Sequence, residues 1–475
     1  MPEKKPNILL IVSDQHSPMV TGCYGNSDVR TPSIDALAEE GVLFESAYCA
    51  SPLCVPSRLS MLAGRHPYNI GVWSLSDTIR SDTPTFPVPL TIGGWHTLIC
   101  GRMHLVWGDR NHGFETRLCG DRYPTIRNHF AHWDREEVPV TEAVRGVSEA
   151  GVGGSRHDAE DGIAEGHALK FLHETNHAKE KRPFALCVGF YRPHTPYRAP
   201  RELVDLYRKL NPSVGQTISI RPAFYRSLAR HLGLEDHPPT DEEARRAVRC
   251  YYAMVTGMDR RVGTICEALK QRGLWDDTIV IYTSDHGESL GSHGLWFKSN
   301  FYEEAVRVPL IVRYPKRFAS GFRVKEPVSL LDLFPTCCEI AGVEPYPFLD
   351  GQSLMPGLLG GSVDPSRSVF AEYADYGIHV PTRMIRKGKY KLMYAEGYDP
   401  ALFDLESDPM ETSDLLRKPQ FTKIAADLLK ELMKDWKPDP VRKRVRENQR
   451  NRDLFLAAEE AIKKATGKKG FPWGP

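Results

Sequence analysis

The chain has 475 residues, 41% hydrophobic and 26% charged, a globular composition with room for two or three domains. Sixty-two basic against sixty-one acidic residues leave a net charge of +1, which excludes the electrostatic footprint of a nucleic-acid binder. Ten cysteines in this length are too sparse for a disulfide framework and lack zinc-like spacing, so most are expected to be reduced packing residues.

In chain order, the apolar run Asn7 to Ser13 reads as a buried strand that stops at Asp14-Gln15-His16. The run is too short to span a bilayer and no small-residue cleavage site follows it, so a cytoplasmic protein without a membrane partner is expected. Helical patterns cover Ser33 to Gly41 and Arg58 to Leu62, with Cys54 in a polar turn just before the second. Gly101-Arg102-Met103-His104 reads as extended, Ala164 to Thr175 as a helix, and Arg182 to Phe190 as a buried strand running into Arg192-Pro193-His194-Thr195-Pro196. A long helical pattern, Ala244 to Gln271, precedes the strand Thr278 to Ser284, which stops at Asp285-His286-Gly287. Val308 to Val312 is a further strand. This alternation predicts an α/β domain over residues 1–365, a large, mostly parallel sheet sandwiched by helices. After Gly360-Gly361 the pattern becomes a hairpin over Met384 to Tyr394 with a turn at Lys387-Gly388, then Leu402 to Leu405 and a helix from Phe421 to Trp436. Residues 366–437 therefore form a smaller C-terminal α+β domain. Residues 438–475 are a basic tail ending Gly470-Phe471-Pro472-Trp473-Gly474-Pro475, a candidate contact for a homo-oligomer.

Sites in open α/β sheets gather at the carboxyl ends of strands, so the two acidic strand ends can converge. Asp14, Gln15, Asp285 and His286 then make a metal set. Its three oxygen donors suit calcium best, with magnesium open and the imidazole leaving manganese open. Taken singly, either aspartate could instead cap a helix or turn. Arg58 falls one helical turn after Cys54, placing its guanidinium on the same face. Arg102 and His104 share one side of an extended segment. His194 follows a buried strand between two prolines and is a candidate to bind an anionic group or protonate a leaving alcohol. Lys298 is a candidate anion-binding cation, its bland alternative being a solvated surface lysine. His16 and His293 read as structural.

The segment Leu53-Cys54-Val55-Pro56-Ser57-Arg58, continued by Leu62-Ala63-Gly64-Arg65, resembles the signature of the sulfatases of the alkaline phosphatase superfamily. The resemblance extends from Asn7 through Asp285-His286 to Leu402-Phe403-Asp404-Leu405-Glu406-Ser407-Asp408-Pro409. It implies an alkaline phosphatase-like fold and oxidation of Cys54 to formylglycine by a formylglycine-generating enzyme. The hydrated aldehyde would be both a ligand of one divalent metal ion and the nucleophile that attacks sulfur. His104 would be the base that expels sulfate, with Arg58, Arg102, His194 and Lys298 as the other catalytic groups. Gly101 to His104, His112-Gly113-Phe114-Glu115 and Gly294 to Lys298 look like the branch that holds the choline sulfatases. Gln15 and His286 resemble the neighbouring phosphonate monoester hydrolases.

Two departures bear on substrate. Arg102 stands where the family has lysine, which is not a neutral exchange at a point contact. Leu75 stands where an asparagine is expected in choline sulfatases, and no tryptophan follows Tyr123-Pro124, so the aromatic box for a quaternary ammonium is not evident. The resemblance thus implies hydrolysis of an aryl or carbohydrate sulfate. The alternatives are a phosphonate monoester or phosphodiester hydrolase with the same nucleophile, or a binding protein whose Cys54 is never converted.

Overall fold

Every residue of the first strand, β1 (Asn7–Asp14), is buried, because this run of isoleucine, leucine and valine is covered on both faces. Leu9 and Ile11 point to one side, packing with α1 (Pro32–Glu39), α3 (Arg156–Glu174) and α4 (Asp241–Gln271), and Ile8, Leu10 and Val12 point to the other, with α2 (Cys54–Ala63) and α5 (Leu333–Ala341). Each such side chain contributes roughly 1.5–3 kcal/mol by leaving water. The computed structural model describes residues 4–105, 108–120, 133–134, 139–175, 179–213 and 222–467. Tyr123-Pro124 and the ending Gly470 to Pro475 lie outside the described residues.

The remaining strands of this sheet are β2 (Val42–Phe44), β3 (His96–Gly101), β4 (Thr116–Cys119), β5 (Phe184–Pro193), β6 (Thr278–Ser284), β7 (Leu310–Arg313) and β8 (Phe322–Val324). Their order is β8-β2-β7-β6-β1-β5-β3-β4. All neighbours are parallel except β7, which is antiparallel to both β2 and β6. The segment between β6 and β7 stays at the carboxyl end of the sheet, so β7 starts there and must run back. Helix α3 starts at Arg156, eight residues before the hydrophobic pattern does. A capping box between Ser155 and Asp158 fixes that start in a polar stretch.

The smaller sheet is antiparallel in the order β9 (Ser368–Tyr373), β10 (Thr382–Lys387), β11 (Tyr390–Ala395) and β12 (Ala401–Asp404). Gly388, at φ +52°, makes the two-residue β10–β11 turn. Helix α6 (Thr422–Leu432) covers this sheet. The basic stretch after it begins as helix α7 (Pro438–Thr466), whose Val441, Val445, Gln449 and Arg452 form a buried stripe at helical spacing. Val441 and Val445 pack with Trp73, Leu432 and Trp436. No helix among the described residues is long and apolar enough to cross a membrane.

Candidate active site and metal centre

Strands β1 and β6 lie side by side in register, Ser13 opposite Ser284, so Asp14 and Asp285 leave the sheet next to each other. Cys54 is the first residue of α2, not a turn residue before it, and all ten residues of that helix are buried. Pro56 falls in the first turn, where its missing N–H costs no intrahelical bond. The helix thus delivers the Cys54 sulfur to the two strand ends: Sγ lies 3.6 Å from Asp14 Oδ1 and 3.2 Å from His286 Nε2. Ligand atoms of Asp14, Cys54, Asp285 and His286 all fall within 4.8 Å of one another.

The two carboxylates divide their oxygens. Arg58 Nε donates to Asp285 Oδ2 at 2.8 Å, and its terminal nitrogen is 3.4 Å from Asp14 Oδ2, which also receives Arg102 Nε at 3.1 Å. Asp14 Oδ1 and Asp285 Oδ1 remain facing the centre, each 3.7 Å from His286 Nε2. Burial opposes the charge on Asp14, yet the cations Arg102, Arg58 and Lys298 hold its carboxyl well below the usual range. Arg58 gives its remaining donors to the carbonyls of Arg102 and Ser13 at 2.7 and 3.3 Å. It therefore braces the two aspartates from beneath rather than reaching the reacting atom at Cys54. Removing one partner from such a buried ionic group typically costs 3–5 kcal/mol.

His286 Nδ1 lies 3.0 Å from the Gly287 carbonyl, which only a protonated Nδ1 satisfies, so the Nε2 lone pair points inward. Burial lowers its pKa to about 4, keeping the ring neutral. An imidazole anchored by a backbone carbonyl is the usual posture of a metal ligand. Two carboxylate oxygens and this imidazole meet at one point, the Gln15 amide oxygen lines the same cavity 3.0 Å from Lys298 Nζ, and this donor set fits a hard divalent cation.

Lys298 is buried, and its Nζ lies 3.0 Å from each of Gln15 Oε1, Cys54 Sγ and His194 Nε2. Burial opposes its charge, but Cys54 and Asp14 raise its pKa above the usual lysine value. His194 Nδ1 sits 2.8 Å from the Thr195 carbonyl, leaving Nε2 to accept from the Lys298 ammonium. Burial first and Lys298 second push the His194 pKa well down, as burial and Arg102 do for His104. The Cys54 thiol is pushed up to about 11 by burial and by Asp14. His104 is not extended: it lies at φ +56°, and Gln15 and Phe297 each at +69°. Such left-handed backbone costs of order 1–3 kcal/mol per residue and clusters at functional sites.

A cavity of about 690 Å³ opens above these groups. Gln15, Cys54, Arg102, His104, His194 and Lys298 line it, and Leu75, Thr141, Ala143, Leu232, Phe297 and Tyr376 are among its walls. Several rings are stacked: Arg102 over Tyr191 at 4.4 Å, Tyr191 on His157 at 4.8 Å, and His231 on Tyr376 at 5.3 Å. Trp73 lines a separate cavity.

The ten residues expected at the site converge, nine on the metal set or the cavity and Arg58 beneath them. His16 and His293 are packing groups, the first bonded to Tyr282, Thr21 and the Val20 carbonyl and the second stacked 3.6 Å over Tyr302. Sequence reasoning missed His157, Tyr191 and His231, which reach the cavity from distant elements. It also missed Glu288, whose only signal was its place two residues after His286.

The sulfatase family model matches residues 6–343, and the model for the C-terminal region of N-sulphoglucosamine sulphohydrolase matches residues 291–437. The chain belongs to the sulfatase family. A choline-sulfatase of Rhizobium meliloti (strain 1021) is 34% identical over 433 residues, covering 88% of this chain and 83% of that one. Arylsulfatase K of Danio rerio is 29% identical over 462 residues, covering 89% and 82%. Among solved structures, the phosphonate monoester hydrolase of Agrobacterium radiobacter superposes with a TM-score of 0.73 at 24% identity, covering 90% of this chain and 95% of that one. This last likeness concerns the fold.

Proposed function

We propose that this sulfatase hydrolyses an aryl or carbohydrate sulfate monoester with a formylglycine nucleophile made from Cys54. The observation that carries the reading is the position of Cys54 Sγ, in contact at once with Asp14, His286 and Lys298. A divalent cation, calcium by the donor set, held by Asp14, Gln15, Asp285 and His286, would supply Lewis-acid activation of the nucleophile. Lys298 and Arg102 would hold the sulfuryl oxygens, where cations count most as charge spreads in the transition state. One hydroxyl of the hydrated aldehyde loses its proton to solvent and attacks sulfur, the bond to the alcohol oxygen breaks, and that oxygen takes up the proton shared between Lys298 Nζ and His194 Nε2. His104 then takes the proton of the second hydroxyl, the carbon–oxygen bond to sulfate breaks, and the aldehyde returns.

The stacked walls at Tyr191–His157 and His231–Tyr376 favour a flat alcohol, an aromatic ring or the apolar face of a sugar. The choline-sulfatase relative keeps a quaternary ammonium in view, but Leu75 gives it no polar contact. A formylglycine-generating enzyme is the maturation partner this reading requires. A cytoplasmic location and a homo-oligomer contact through the C-terminal segment are part of the same proposal.

The second reading, a phosphonate monoester or phosphodiester hydrolase, is favoured by the Gln15–His286 ligand pair. Both substrate classes are monoanions, so the cations cannot separate them. Side-by-side kcat/KM values on nitrophenyl sulfate and a phenyl phosphonate monoester do: the sulfate should be preferred, and a phosphonate preference would overturn the proposal.

A further inference from the structure

We propose that Glu288 is a positioning residue of the metal site, which fixes the end of the Gln15 side-chain amide that faces the ion. The inference rests on the reading of Asp14, Gln15, Asp285 and His286 as a metal set. Glu288 is 1% exposed and its carboxylate is fully engaged. Oε1 accepts the backbone N–H groups of Leu290 at 3.0 Å and Phe297 at 2.7 Å, and Oε2 accepts from Gln15 Nε2.

An amide oxygen and nitrogen look alike in shape, so a glutamine ligand can present either end unless its partners decide. Here both partners decide the same way. A carboxylate only accepts, so the Gln15 end against Glu288 is the NH2. An ammonium only donates, so the end 3.0 Å from Lys298 is the oxygen. Flipping the amide would set oxygen against carboxylate and NH2 against ammonium together. The backbone is pinned as well: the Gln15 N–H donates to Asp285 Oδ1 at 3.1 Å, and the Tyr251 hydroxyl donates to the Gln15 carbonyl at 2.5 Å. One carboxylate thus joins the amide of Gln15, just past the end of β1, to the backbone next to Lys298, through the N–H of Phe297.

The test is calcium binding by titration calorimetry, with no substrate present, on the full-length protein. In Glu288→Gln the two backbone N–H groups still require an oxygen, so the new NH2 must face Gln15. Gln15 then turns its oxygen away from the metal set. Calcium should bind about 10–100-fold more weakly, the usual effect of losing a group that orients a ligand. At saturating calcium, kcat should recover most of the way, a rescue that loss of a merely structural contact would not show. The exchange Gln15→Glu with Glu288→Gln restores one donor facing one acceptor, and its calcium affinity should return close to wild type. This double variant also serves if the single one folds poorly. Affinity unchanged in Glu288→Gln, or an exchange variant as weak as Glu288→Gln, overturns the role of Glu288. If the wild-type protein binds none of calcium, magnesium or manganese, the metal reading itself fails, and the proposal with it.

Discussion

Lys298→Met separates catalysis from packing at the centre of the site. The ammonium contacts Gln15, Cys54 and His194, each at 3.0 Å, and its side chain is buried. None of these three partners is a carboxylate, so the charge is desolvated without a direct anionic mate. In the transition state it would meet the charge that grows on the transferring group. Losing one such preorganised donor typically lowers kcat by about 10²–10³, or 2.7–4 kcal/mol. Methionine keeps the unbranched stem and removes the charge, and replacing a buried charge by an apolar group is often neutral or stabilising. The account therefore expects a large fall in kcat/KM on nitrophenyl sulfate, with a melting temperature at or above wild type. Both are read on one preparation with Cys54 conversion verified. Unchanged kcat/KM refutes the catalytic role; a melting temperature that falls together with activity shows that the lysine serves the fold instead.

Other substitutions probe the remaining groups. Cys54→Ala should abolish turnover and cost on the order of 1 kcal/mol or less in stability, since only one sulfur leaves a tight site; residual turnover in this variant contradicts the covalent route. His194→Gln should reduce kcat by about 10²–10⁴ on an alkyl sulfate, which needs a proton on its leaving oxygen, and much less on nitrophenyl sulfate. Equal losses on the two esters would remove His194 as the acid. For pH, His231 is held by burial at about 4, below the 6.5 of the unfolded chain. Its contribution is thus present above pH 6.5 and is lost as the pH falls toward 4. Urea unfolding of wild type and His231→Phe should therefore converge in acid by about 1.4 kcal/mol per pH unit within that window. Parallel pH profiles would show that the imidazole titrates normally.

Much of the site was legible because its residues sit at ends of elements whose pattern is strong. Continuous apolar runs marked β1 and β6, and each stops at its aspartate, so adjacency of the two strands brought the metal set together. The role of Arg58 was not legible, since helical spacing gives the face but not the partner; its donors go to Asp14 and Asp285. Alternation placed Arg102 and His104 on one side, and both line the cavity, but the left-handed backbone at His104 delivers it rather than an extended segment. The direction of β7 depended on where the preceding loop remained, which no local pattern records. The cavity walls come from Leu75, from residues 141–146, from His231-Leu232 and from Tyr376, segments without shared periodicity. Glu288 was hidden for a similar reason: its importance lies in a hydrogen bond to a residue 273 positions away.

The central claim is that Cys54 is a precursor and that its aldehyde does the chemistry. Trypsin releases Cys54 within the fragment Thr31 to Arg58, which has no internal lysine or arginine. The mass of this fragment from protein that is turning over nitrophenyl sulfate tests the claim directly. The account predicts a fragment in which the Cys54 side chain has become an aldehyde, captured by a hydrazine and resistant to thiol alkylation at that position. An active preparation in which Cys54 is wholly a free, alkylatable thiol would contradict it.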